Sequence, residues 1–257
     1  MMEEQKLQYL NELLKRRNES VDKYVEAMKS WEELTRDSYA DPIKLNMDKF
    51  LEIMLLDGCF IIELFLKFED STLREHTTPF SKFLRFGKNQ IPFSVLIHLF
   101  HMTGDSNQGN PLHILGPLAL KFFRPTISNF ARSPPSYNHL LGLVHYAWYS
   151  SIAGNGPFLV IDTNHQFIKS VTELREARIK FQKTESSSFL DVKFENGIMK
   201  IPSLVVDDDT ECLFRNLIAY EQYGGGFVQT NMTDYTTFMD RLINSPKNVE
   251  ILRHSGR

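Results

Sequence analysis

Residues 54–65 read MLLDGCFIIELF, an apolar run interrupted by one aspartate, Asp57, and one glutamate, Glu63. The full run from Ile53 to Leu66 falls short of the about 18 apolar residues a membrane span needs, and each acid would cost about 2.5 to 3.5 kcal/mol near a bilayer centre. It is therefore a buried core helix, expected over 47–68. A carboxylate inside such a helix is either paired or used for chemistry. At about 100° per residue, Glu52, Glu63 and Lys67 fall within about 60° of one another, which gives Glu63 an i,i+4 partner in Lys67. Asp57 lies off that stripe. It is either a structural acceptor, tying backbone amides or an arginine, or a general base with a raised pKa. No nucleophile or acid is encoded nearby, so the structural role is expected. Gly58 beside it would let another backbone approach.

Upstream, apolar or aromatic side chains at 7, 10, 14, 21, 24, 28 and 31 form a helical seam that Arg17 breaks beside NES. Two helices, or one kinked helix, are expected, packed on the core of the same chain in preference to a coiled-coil dimer. YADPIK (39–44) reads as a turn. NQIPFSVLIHLFH (89–101) opens a helix after Pro92, and 112–123 and 138–152 have helical periodicity, with TGDSNQGNP and RSPPSYNH as loops.

The character changes after GNGP (154–157), where FLVI reads as a short buried strand. SVTE (170–173) is a capping box opening the helix ELREARIKF. In FLDVKFENGIMKIP (189–202), Leu190, Val192 and Phe194 alternate with Asp191, Lys193 and Glu195, and Asn196-Gly197 supplies a type I′ turn. That pattern predicts a hairpin. DDDTECLFRNLIAYEQYGGG (207–226) reads as an acidic helix start, an apolar stripe and a glycine stop. TDYTTFMDRLIN and SPKNVEILRH are the last helices, the second with Ser245 as N-cap and Pro246 at its first position. The fold class is thus mainly α with a small β element, a multi-helix bundle with a β-hairpin in the C-terminal half. Residues 1–257 are expected to be a single domain, helical over 1–153 and α+β over 154–257.

With 257 residues, 42% hydrophobic and 24% charged, the chain is an ordinary globular one, and its net charge of -3 offers no basic field for nucleic acid. Cys59 and Cys212 allow at most one disulfide and no cysteine-based zinc site, and they read as reduced core residues. The start MMEEQKLQYL lacks the apolar region of a secretory signal. His98 and His101 sit one helical turn apart but lack the Glu of an H-E-x-x-H helix and a third ligand. His139 and His145 lie some 240° apart around a helix, so they read as separate capping or core histidines. There is no G-x-S-x-G, P-loop or G-x-G-x-x-G, and YGGG follows a helix. Acids 207–209 at a helix start complement its dipole. No catalytic, cofactor-binding or metal residue is assigned, and no cofactor is expected.

Seven stretches, MLLDGCFIIELF, NQIPFSVL, HLLGLVH, TELREARIKFQ, SSSFLDVKFENGIMKIPSL, TECLFRNLIAYEQ and FMDRLINSPKNVEILR, together resemble the plant-specific domain of unknown function 247 family in order and spacing. The resemblance implies a largely helical land-plant protein with a small β element, usually held by one C-terminal transmembrane helix. It also implies kinship with members at grass self-incompatibility loci, which look like pollen-side recognition determinants, and it supplies no catalytic or cofactor residues. Against the family pattern the chain is truncated at both ends: it starts near KLQYL and ends at Arg257 before the final helices and anchor. RFGKNQ carries Lys88 where a leucine-rich stretch ending in Glu is usual, and Gly142 replaces a common Asp. The expected function is non-enzymatic recognition of an unknown protein partner, with self-association as a second mode, no nucleic acid, a cytoplasmic location for the chain as it stands, and membrane contact only through an anchor beyond it. The alternatives are a hydrolase using Asp57 or another core carboxylate with His139 or His145, and a nonfunctional truncated paralogue.

Overall fold

Asn46 starts the central helix, its side chain accepting from the Lys49 amide at 2.9 Å, and the helix runs over Met47–Glu69. It is preceded by α1 (Met2–Arg17) and α2 (Val21–Asp37), so it is α3; α4 (Phe93–Met102), α5 (Pro111–Phe122) and α6 (Leu140–Ala153) follow. A computed structural model describes residues 2–39, 41–70, 91–104, 110–123, 138–153, 168–186, 188–207, 210–223 and 229–255. Nearly every side chain from Phe50 to Phe65 is buried, which is what a helix apolar on all sides does when others surround it. The surrounding helices are α1, α2, α4 and α5, all packed on α3. Among the described residues no helix is long and apolar enough to cross a membrane.

The described residues fall into two compact units, one holding α1 to α5 with α6 up to Val144, the other beginning at His145. In the first unit the chain does split after Arg17: Asn18 has φ 54° and Ser20 caps α2. The buried face of α1 differs from the expected seam. Tyr9, Leu10 and Leu13 are buried, whereas Leu7 is 49% exposed. The face is turned because α3 presents carboxylates as well as apolar groups, and α1 brings Lys6 and Arg16 to meet them. Gly58 admits a side chain, not a backbone: a Cβ there would overlap Leu99 Cδ1 of α4. Pro92 stands just before α4 and forms an isolated bridge with His139, at the start of α6.

In the second unit, α7 (Val171–Glu176) opens with the full capping box between Ser170 and Glu173. It ends earlier than ELREARIKF predicts. Arg178 takes φ 66°, the Ile179 amide donates to the Leu174 carbonyl at 2.9 Å, and the chain leaves as strand β1 (Lys180–Thr184). The hairpin forms as read, β2 (Lys193–Glu195) against β3 (Ile198–Pro202), with Asn196 at φ 52° and Gly197 at φ 75°. The sheet order is β1-β3-β2, with β1 parallel to β3. Leu190 lies in a turn before β2 and is buried, so the expected single apolar face breaks there and Phe194 is 50% exposed. Helices α8 (Thr210–Tyr223), α9 (Asn231–Leu242) and α10 (Pro246–His254) complete the unit. Ser245 precedes α10 but caps with its carbonyl, which accepts from the Asn248 amide at 3.0 Å, and its side chain makes no cap bond. Phe189 gathers Trp148, Phe214 and Tyr235 around it at 5.0–5.5 Å. The stretch FLVI, the glycines 224–226 of YGGG, Asp208 and Asp209 lie outside the described residues.

Candidate functional site

The carboxylates of α3 that raised the question of chemistry both face α1. Asp57 meets the Lys6 ammonium at 2.5 Å, with Glu3 on the same ammonium at 3.0 Å. Burial pushes the Asp57 carboxyl above its usual range, and Lys6 draws it only part of the way back. Glu63 is fully buried and takes both terminal nitrogens of Arg16. Its carboxyl too is raised, by burial first, against the pull of Arg16. Lys67, expected on Glu63, is instead bound to Glu12 at 2.5 Å and sits 4.1 Å above the Tyr9 ring, which in turn stacks on Phe60. Helical spacing along α3 made Lys67 the nearest candidate, but α1 offers Glu63 a bidentate guanidinium, the better match for a carboxylate. Cys59, beside this network, has its thiol pushed up to about 12 by burial, so it is no nucleophile at neutral pH.

Neither histidine named for the hydrolase alternative is placed as a base on Asp57. The Nδ1 of His139 accepts from the Gly142 amide at 3.3 Å, a cap on α6, and burial lowers its pKa. His145 lies in the second unit and turns Nε2 to two acceptors, Glu221 Oε1 at 2.8 Å and the Gln229 carbonyl at 3.1 Å. Two acceptors on one nitrogen require that it carry the hydrogen. His98 stacks on Trp31 at 4.3 Å between ring centres. Among the described residues no group of three or more His, Cys, Asp or Glu is placed to hold a metal ion.

Among the described residues the most heavily bonded acid is Glu221, near the end of α8. Oε1 accepts from the Met232 amide at 2.7 Å as well as from His145, and Oε2 accepts from the Thr233 amide at 2.7 Å and the Thr233 hydroxyl at 2.5 Å. Met232 and Thr233 are the second and third residues of α9, whose own cap residue Thr230 makes no side-chain cap bond. A carboxylate from the neighbouring helix thus does the capping and also meets the positive end of the helix dipole. Burial alone would raise the Glu221 carboxyl, but these bonds outweigh it and hold the group below the usual carboxylate range.

The sequence pattern of the plant protein family of unknown function DUF247 matches residues 1–256. The chain belongs to the DUF247 family. It is 26% identical over 266 residues to UPF0481 protein At3g47200 of Arabidopsis thaliana, covering 90% of this chain and 54% of that protein. A second relative, Putative UPF0481 protein At3g02645 of the same plant, is 33% identical over 93 residues, or 35% of this chain and 17% of its own length. The chain therefore spans about half the length of the first relative. No solved structure matches it.

Glu221 escaped the reading of this DUF247 sequence, though a signal was present. In TECLFRNLIAYEQY the buried positions are Leu213, Leu217 and Glu221, an i,i+4 stripe that continues onto an acid. An apolar stripe ending on a carboxylate marks a buried charge in need of donors.

Proposed function

We propose that this DUF247 protein is a recognition protein that binds another protein, akin to self-incompatibility-type determinants, and is not an enzyme. The observation that supports this most directly is the use made of the buried carboxylates: Asp57 and Glu63 hold α1 on α3, and Glu221 holds α9 on α8. Groups committed to holding helices are poor reagents, because moving them to do chemistry would strand buried charge. Apolar side chains left outside, Val205 at 81%, Val206 at 72% and Tyr223 at 86% exposed, support this reading, because a bound protein would cover them. Membrane attachment of the whole protein through a segment beyond Arg257 belongs to the same proposal.

The test is proximity labelling from the protein in pollen and in leaf, combined with Asp57→Asn. Recurrent partners, with Asp57→Asn acting only through lowered stability, are expected. A hydrolytic turnover that Asp57→Asn abolishes at unchanged melting temperature would establish the enzyme instead.

A further inference from the structure

A groove of about 820 Å³ lies in the second unit between the α7–β1 junction and α10. Arg175, Arg178, Lys180 and Lys247 line it, with Glu250 as the acid among its lining residues. Among the described residues none of these four cations makes an ion pair or a side-chain hydrogen bond, although the lysines and arginines of α1 to α3 are repeatedly paired. Glu250 is shared with His254, 3.9 Å away. A chain of net charge -3 thus concentrates unpaired positive charge at one groove. Solvated surface charge would spread out; convergence on a concavity focuses a field on whatever enters.

Among the described residues the groove also touches a strand edge with no neighbouring strand. β1 is an outer strand, and its parallel register is anchored by the Lys180 amide donating to the Gly197 carbonyl at 2.9 Å. In that register alternate residues bond inward, so the amide and carbonyl of Phe181 point away from β3. Phe181 lines the groove. An open edge next to unpaired cations fits one kind of occupant, an extended peptide whose main chain adds beside β1 while its acids meet the cations. Alternate side chains of such a strand stand about 6.8 Å apart on one face, so a peptide alternating acidic and neutral residues presents all its acids to the same side. The guanidiniums of Arg175 and Arg178 suit carboxylate or phosphate oxygens by their paired donors.

We infer that this groove binds an extended acidic peptide of a partner protein by strand addition to β1. This rests on the recognition reading and names the partner's chemistry. Fluorescence polarisation tests it with the 257-residue chain and a short labelled peptide alternating glutamate with threonine. Binding should weaken about tenfold or more in Arg178→Glu/Lys247→Glu, and with the peptide's glutamates changed to glutamine. The charge-matched Lys15→Glu/Lys44→Glu should bind as the original does. Amide exchange at Phe181 and Lys183 should slow in the complex. Should the double reversal fail to fold, Lys180→Gln read on folded protein, with loss of affinity at raised salt, decides the matter. Equal affinity for the glutamine peptide, unchanged exchange at Phe181, or binding to phosphatidylserine vesicles or inorganic phosphate without binding to the peptide would overturn the inference. Proximity labelling separates the two proposals: a recurrent partner that survives Arg178→Glu/Lys247→Glu keeps the recognition reading and removes the groove from it.

Discussion

Replacing Glu221 with glutamine keeps the side chain's shape and removes its charge and one of its acceptors. Met232 and His145 converge on one carboxylate oxygen and the two donors of Thr233 on the other. Whichever way the amide turns, its NH2 faces two donors, and the first turn of α9 keeps at most one of its two capped amides. A hydrogen bond to a charged acceptor is worth about 1.5 to 3 kcal/mol, and a charge at a helix end adds about 0.3 to 1 kcal/mol. Allowing for non-additivity, Glu221→Gln should cost about 3 kcal/mol, or roughly 6 to 12 °C in melting temperature for a chain of this size. The carboxyl lies below its ordinary range in the folded state, so its contribution is complete above the unfolded value of about 4.3 and is lost as pH falls through the folded one. The gap between the original and the variant should therefore hold steady from neutral pH to about 5 and close below about 4. Thermal melts by circular dichroism across that range, with amide exchange at Met232 and Thr233, read both effects. Equal melts at pH 7, or a gap that widens on acidification, would refute the assignment of Glu221 as the cap of α9.

Substitutions at three further sites probe the rest of the framework. Asp57→Asn should cost about 1 to 3 kcal/mol by leaving the Lys6 ammonium only the exposed Glu3 as a charged partner, while Asp57→Leu with Lys6→Met should recover most of it, because desolvation offsets most of the pair's attraction; urea titrations decide, and equal losses in both variants would contradict the pairing. Gly197→Val puts a β-branched residue at φ 75° and should cost about 2 kcal/mol or more, read as lost amide protection over Lys180 and residues 198–201. Gly58→Ala gains about 1 kcal/mol of helix propensity but overpacks the fully buried Leu99 by about 1 to 3 kcal/mol, so a net loss is expected; a variant more stable by the full propensity gain would show that Leu99 yields freely.

The parts of this fold legible in the sequence are those whose cause is local. Asn196-Gly197 defines a turn by backbone conformation alone, and Ser170 with Glu173 defines a helix start within four residues. Composition alone shows α3 to be buried. What stayed hidden depends on partners distant in sequence. β1, with the sequence KFQKT, has no apolar alternation, and it becomes a strand because β3 arrives beside it. The inward face of α1 could not be read from its apolar residues because it meets charge on α3 as well as apolar groups. Glu63 and Lys67 are good helical neighbours in isolation, yet each finds a better partner in α1.

That exchange of partners bears on how α1 finds its place. Its apolar face, Tyr9, Leu10 and Leu13, would pack against many positions of a helix as uniformly apolar as α3. The charges are less tolerant. Lys6, Glu12 and Arg16 alternate in sign along α1 and meet Asp57, Lys67 and Glu63 in turn. Sliding α1 by one turn in one direction would move Glu12 from Lys67 toward Glu63, two acids in a buried setting. Sliding it the other way would move Lys6 from Asp57 toward Ile61, leaving its ammonium hydrocarbon on the α3 side and only the exposed Glu3 of its own helix as a partner. Either displacement strands charge that costs several kcal/mol, although the correct pairs themselves add little net stability. The acids in MLLDGCFIIELF thus serve as register marks: they make one docking of α1 better than its neighbours, which the apolar surface of α3 cannot do alone.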